Sequence, residues 1–360
     1  MNIEFDPEQF ESVYYIIYFF MSLIALAFSL KLDLKNFDHQ VLGFRLASFA
    51  LIAILILFAF RNENVGTDTK MYIWQFENYR NLPFSMDFLY NYLIIFLNTF
   101  SNSGVTFLFT VAFLFLFVLF LAIITYSKIS TVNPFLLLFC FTSLFFFQTL
   151  GTNIIRQGVG LSCFLLGVSY FFKKRKITKE CILAFFIGAG IHFTTMVPIL
   201  FFLFIIFFKN LKIGYFYLLY FLCLLLSAID ISILDFSSYL SFLMVDERRS
   251  SYLSSSDQIY QIGFKPQFVV FNSVFLFLSH FCWKNLESSK YYEFLLKYYA
   301  LMSAVFFMMF KIPYSDRWGV MSWVVIPFLL APFYSSVNRS KKALLMTTFL
   351  IIVFLFFSNY

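Results

Sequence analysis

Arg156 is the side chain best placed to do chemistry. It follows Asn153-Ile154-Ile155, precedes Gln157, and opens an apolar stretch in which Gly160, Cys163 and Gly167 recur at i+4, i+7 and i+11. On a helix those positions share one face. Small residues there let a second helix come close, so Arg156 is expected to point into a bundle and not at lipid. A guanidinium held in that way can fork onto two phosphate oxygens; snorkelling to nearby headgroups is the other use of the same side chain. His192 stands at a break after Gly188-Ala189-Gly190. An isolated histidine is commonly a hydrogen-bonded structural residue, but beside an arginine site a group titrating near neutrality can move protons.

Three further groupings carry polar chemistry. The run Arg61-Asn62-Glu63-Asn64-Val65-Gly66-Thr67-Asp68 is followed by Tyr72 one turn later. Gly66 permits a tight turn, and Asp68 is placed to cap the next helix; a solvated charge run at a helix start is the plainer account. In Lys311-Ile312-Pro313-Tyr314-Ser315-Asp316-Arg317-Trp318 the proline breaks a helix and leaves Asp316 and Arg317 at the next N-terminus. A local ion pair and a phosphate clamp both fit. The segment 232–265 offers Arg248, Arg249, several serines, Tyr239, Tyr252 and Tyr260, which suit sugar rings and an interfacial loop equally.

Such groups need elements to hold them, and composition says what those elements are. Hydrophobic residues make up 61% of the 360-residue chain and charged residues 12%, about half the usual charged share of a soluble domain. Lipid accommodates that surface, provided helices satisfy their own backbone. The expected architecture is therefore all-α: one polytopic membrane domain over residues 1–360. A span needs about 20 apolar residues, and such runs lie at 13–30, 41–60, 104–126, 132–149, 152–172, 213–231, 266–283, 291–312, 318–335 and 343–358. The stretch 179–208 reads as two short helices meeting near Ile191 and His192, and 87–100, with Asn91 and Asn98, as a helix lying in the interface. The total is about twelve spans. The acidic start before Val13 is unlike a cleaved signal, so the first run is expected to be retained.

Basic residues orient the bundle. With the N-terminus outside, the cytoplasmic connections hold fifteen lysines and arginines against nine on the other face, and Lys173-Lys174-Arg175-Lys176 is the tightest cluster. Arg45 and Lys297 lie just inside helix ends and are expected to snorkel. The longest loops, 61–103 and 232–265, then face outside. The net charge of +7 is thus a topology signal, and no nucleic-acid partner is expected. Five scattered cysteines without a CxxC spacing give no disulfide framework and no metal site. With no GxxxxGK[ST] loop, an ATP-driven pump is disfavoured, and neither metal nor cofactor is expected.

Arg61, Arg156, His192, Arg248, Arg249 and Arg317 all fall on the outer face of this topology. Basic groups gathered against the positive-inside tendency suit an anionic headgroup such as a lipid-linked pyrophosphate. At these residues the chain resembles the EpsG family of Wzy-like polysaccharide polymerases. The resembling pieces are Arg61 through Val65-Gly66-Thr67-Asp68 to Tyr72, the Ile155-Arg156-Gln157 helix start followed by a basic loop, and Ile191-His192-Phe193. The resemblance implies a multi-pass enzyme of the bacterial plasma membrane with a GT-C-like architecture, surrounded by membrane lipid and facing its site outward. It would join undecaprenyl-pyrophosphate-linked oligosaccharide repeats into capsule, exopolysaccharide or O-antigen, alongside other polysaccharide-assembly proteins. Arg156 and Gln157, with Arg317, Arg61, Tyr72, Arg248 and Arg249, would bind the substrate, and His192 or Asp68 would accept the acceptor's proton. A flippase for lipid-linked sugars and an O-antigen-ligase-type transferase are the competing readings.

Overall fold

The computed structural model describes residues 4–31, 37–81, 85–235, 262–286, 290–334 and 340–357. Among them there is no strand; a bridge between Phe5 and Arg61 is the backbone pairing outside the helices. The helices are α1 (Pro7–Lys31), α2 (Phe37–Ala59), α3 (Thr69–Glu77), α4 (Phe88–Asn98), α5 (Gly104–Ser130), α6 (Pro134–Thr142), α7 (Phe146–Thr152) and α8 (Ile155–Lys174). There follow α9 (Lys179–Ile191), α10 (Met196–Phe207), α11 (Ile213–Ala228), α12 (Pro266–Asn285), α13 (Lys290–Met308), α14 (Asp316–Trp323), α15 (Ile326–Leu330) and α16 (Ser340–Phe357). The chain forms two compact units, Met1–Ile199 with Leu330–Tyr360, and Leu200–Leu329.

Six helical stretches among the described residues are long and apolar enough to cross a bilayer, and the bent pair α6–α7 makes a seventh if it is one span. Of the rest of the expected dozen, Phe193–Phe207 and α11 are shorter apolar helices. The stretch 179–208 is, as expected, two helices, joined by a 3-10 turn at Phe193–Thr195. At 1.5 Å per residue α9 and α10 are only about 20 and 18 Å long. The stretch 87–100, expected to lie in the interface, contains the 11-residue helix α4.

In the first unit α8 is the central post. It packs between α5 and α9 and buries 89% of its apolar window, against 33% for α2. That is why it tolerates glycines and polar residues that a lipid-facing helix would not. The run 132–149, expected as one straight span, is instead two helices bent by 82°. The Ser143 hydroxyl donates back to the Phe139 carbonyl at 2.7 Å, as does Thr142 at 3.1 Å. Back-bonding of this kind bends helices, and the groups it frees find partners: the Tyr14 hydroxyl donates to the Thr142 carbonyl and Tyr18 to Ser143 Oγ. Broken backbone of this sort is tolerated at membrane depth only when buried in protein, and Pro134–Thr142 is buried throughout.

In the second unit α13 packs on α11, α12 and α14. Asn272 of α12 is its polar centre: Ser303 donates to its Oδ1 at 2.8 Å and Tyr299 to its carbonyl at 3.0 Å. Lys297 does not snorkel. It is 2% exposed and meets Glu293, one turn earlier on α13, at 2.7 Å. An ammonium so far from water is held by its carboxylate, and the rings of Phe216 and Phe294 lie 5.9 Å away.

Candidate functional site

Glycines bring the site together. A Cβ on Gly160 would collide with Thr195 Oγ1 and stand 3.3 Å from His192 Cβ, and one on Gly188 would stand 2.9 Å from the Gly160 carbonyl oxygen. Only hydrogen at both positions lets α8 and α9 approach this closely. The face expected from the spacing of Arg156, Gly160, Cys163 and Gly167 is therefore the one that meets α9, and it sets Arg156 beside the turn that carries His192. A Cβ on Gly190 would meet Leu89 and Phe88, so the end of α9 also rests on the start of α4, where Asp87 is the N-cap residue.

Asp87 gives its own helix no side-chain cap; its carboxylate reaches across instead. Oδ2 accepts from Arg156 Nη1 at 2.8 Å and lies 3.4 Å from His192 Nδ1, while Oδ1 accepts the Phe193 backbone N–H at 2.8 Å. The Asp87 side chain is 11% exposed, and those of Arg156 and His192 are each 19% exposed. The cluster is dry enough to strengthen its charges and open enough for a ligand to reach. Burial by itself raises the Asp87 carboxyl. The hydrogen bond and charge of His192, the Arg156 guanidinium and the Phe193 amide outweigh it and hold the group below the ordinary carboxylate range.

Two tyrosines flank the guanidinium, whose central carbon lies 5.6 Å from the Tyr72 ring centroid and 5.3 Å from that of Tyr90. Contacts of this kind restrain the plane of an arginine. Arg156 Nε and the Tyr90 hydroxyl are buried and have no partner among the described residues. Orphaned buried groups are costly, and here two of them belong to the same contact pair.

The loop before α3 is closed against the same helix start. Gly66 has φ +81°, the Thr67 N–H donates to Asn153 Oδ1 at 2.9 Å, and any Cβ on Gly66 would strike that oxygen. The expected tight turn is present. Asp68 occupies the N-cap position of α3, but with φ −102° and ψ −7° it forms no side-chain cap. A cap residue needs an extended backbone to aim its oxygen at the helix amides; Asp68 Oδ1 accepts from the Thr67 hydroxyl at 3.2 Å. Arg61, expected at the ligand, is 3% exposed and occupied internally, donating to Thr69 Oγ1 and to the carbonyls of Phe58 and Thr152. Burial pushes it down to about 10, so it stays charged at neutrality. It ties α2, α3 and α7 together.

Gln157 is buried within α8. Arg317 lies in the second unit, in the first turn of α14, with its guanidinium 4.8 Å from the Tyr314 ring centroid. Arg248 and Arg249 fall outside the described residues. Asp87 and Tyr90 are missing from the sequence reading. Their signal is slight: an acid at i and a tyrosine at i+3 opening an apolar run.

A multi-pass helical membrane protein with a semi-enclosed arginine–aspartate–histidine cluster is the class these features define. Within that class the chain belongs to the EpsG family, whose model matches residues 44–360 and so includes every member of the cluster. Membership makes it a membrane protein of polysaccharide assembly. No match was found among curated proteins or among solved structures.

Proposed function

We propose that this protein is a polymerase that joins undecaprenyl-pyrophosphate-linked oligosaccharide repeats into surface polysaccharide, in a twelve-span GT-C-like frame at the outer face of the bacterial plasma membrane. The observation that carries the reading is the Arg156–Asp87–His192 cluster, with a partly free guanidinium on one side of the carboxylate and an imidazole on the other. Its sidedness is supported by α8 itself. Arg156 and Lys174 are eighteen residues apart on one helix, about 27 Å along the axis. The basic end, at Lys173–Arg175, suits the cytoplasm.

In the proposed reaction the acceptor sugar's hydroxyl oxygen bonds to the donor's anomeric carbon. The bond from that carbon to the pyrophosphate oxygen breaks, and the lipid pyrophosphate departs with the electron pair. His192, oriented through Nδ1 by Asp87, takes the hydroxyl proton on Nε2. Arg156 grips the pyrophosphate and stabilises the charge that grows on it. Asp87 is a positioning residue for both, and Asp68, bonded within its loop, has an organising role.

Purified protein in proteoliposomes, supplied with a lipid-pyrophosphate-linked repeat, should yield a ladder of multiples of the repeat, and Arg156→Ala should yield none. Unchanged substrate with folded wild-type protein, or full laddering by Arg156→Ala, would overturn the reading. Transfer to a different acceptor would mark a ligase.

A further inference from the structure

A concavity lies in the first unit, at the same end of α8 as Arg156. It is a cleft of about 460 Å³ between the start of α1, the 64–66 turn, α7 and the end of α16. Its polar lining includes Glu11, Asn64, Gln148 and Asn153, and its apolar walls include Tyr15 and Phe357. Among the described residues no lysine or arginine lines it. The side chains of Glu11 and Gln148 form no hydrogen bond or ion pair among the described residues, although the neighbouring Thr152 hydroxyl already bonds to the Gln148 carbonyl.

We infer that this cleft binds the sugar portion of the lipid-linked repeat, as an uncharged polyhydroxy ligand. The inference rests on the polymerase reading for the identity of that ligand. Amides both donate and accept, and a carboxylate accepts twice over, which matches the mixed demands of sugar hydroxyls. Aromatic walls match the C–H faces of the rings. An anionic headgroup would find no lysine or arginine among the described residues here and would face the Glu11 carboxylate, so the cleft and the Arg156 cluster divide the substrate by charge. The volume lies in the usual range for a small-molecule site.

Continuity with the cluster follows from the chain. Asn153 precedes Arg156 by three residues, a separation of at most about 11 Å even if fully extended. The turn that forms another wall runs directly into α3, which carries Tyr72 under the Arg156 guanidinium. The hydrogen bond from Thr67 N–H to Asn153 Oδ1 fastens these two walls to each other. The kink at residues 143–145 creates the cleft: a straight helix through 132–149 would not turn Gln148 and Thr149 to this position.

The test uses full-length protein in nanodiscs and the repeat oligosaccharide freed from lipid and phosphate by mild acid, with binding followed by saturation-transfer NMR. Wild type should bind the free sugar. Gln148→Ala should weaken binding about tenfold, and Glu11→Gln, an isosteric change at an exposed position, should weaken it severalfold. Arg156→Lys should bind it as wild type does, and inorganic pyrophosphate should not displace it. Equal binding by the wild type and both cleft variants, displacement by pyrophosphate, or no binding at all would overturn the inference. The ladder assay separates the two claims. Ladders without free-sugar binding would remove the cleft and leave the polymerase, whereas cleft-dependent sugar binding without ladders would retain the cleft and remove the polymerase.

Discussion

Replacing Asp87 with asparagine removes one charge while keeping the shape of the side chain, and so separates electrostatics from packing at the centre of the cluster. The amide oxygen can still accept the Phe193 N–H, now 2.8 Å from Asp87 Oδ1. What goes is the charge-assisted bond to Arg156 at 2.8 Å and the anionic partner of His192 Nδ1. A hydrogen bond to a charged group contributes about 1.5–3 kcal/mol and a neutral one about 0.5–1.5. With Arg156 one-fifth exposed, the expected loss of stability is near the low end, about 1 kcal/mol. The loss of rate should be larger, because the imidazole loses the group that fixes its tautomer. A positioned general base contributes about 10²–10⁴-fold, so kcat should fall about 10²–10³-fold, or about 2.7–4 kcal/mol of barrier, with little change in KM. Initial rates of ladder formation in proteoliposomes measure this, with size-exclusion profiles and thermal unfolding as the folding control. The pH dependence gives a second check. The native carboxyl is held below its ordinary range, so its contribution is fully present above about pH 4, the unfolded value, and is lost as pH falls through the lower folded value. Asparagine at 87 should abolish that acid loss of stability and leave stability above about pH 5 parallel to wild type. A folded Asp87→Asn protein that laddered within about twofold of wild type would refute the assigned role of the carboxylate.

Arg156→Lys keeps the charge but loses the fork and the stacking between Tyr72 and Tyr90; initial rates should fall about 10–100-fold with folding preserved. Tyr90→Phe removes a buried hydroxyl that has no partner among the described residues, so thermal stability should stay level or rise slightly while KM for the lipid-linked substrate increases; a clear drop in stability would show that the hydroxyl is bonded within the protein. Gly160→Ala drives a methyl into Thr195 and toward the Gly188 carbonyl, and overpacking of this kind costs about 1–3 kcal/mol. Adding Thr195→Ala, which removes the nearest atom, should recover part of the melting temperature. Arg61→Met removes the guanidinium donor from the Phe58 carbonyl and one of two donors from that of Thr152, so unfolding should occur several degrees lower, and residual activity should track the folded fraction rather than the substrate concentration.

The helix pattern was readable because lipid imposes it. An apolar run of some 20 residues has one stable form in a bilayer, and glycines at i+4 and i+11 from an arginine mark the face along which another helix can approach. Arg156 and His192 were legible on those grounds, the first from its row of small neighbours and the second from the glycine-interrupted break. The bend at residues 143–145 was not legible, since hydropathy is continuous through it; the cause is a pair of hydroxyls that bond back to Phe139, together with tyrosines of α1 that receive the freed groups. The surroundings of Lys297 are hidden from the sequence for a similar reason. Its position near a helix end suggested water, whereas its partner Glu293 and the aromatic rings around it are a matter of how α13 packs. Arg61 shows the converse: its place in a motif suggested a ligand, and its surroundings hold it as an internal tie.

By itself, then, the sequence determined that the chain is a membrane helix bundle and that Arg156 lies on a close-packing helix face. Those properties depend on composition and on spacing within single helices, which are local. The identity of the carboxylate between arginine and histidine was a tertiary decision. Asp87 is 69 residues from Arg156 and 105 from His192, and nothing within its own segment distinguishes it from an ordinary helix cap. It becomes the centre of the cluster only because three glycines let α8, α9 and the start of α4 approach until one carboxylate can reach all three partners.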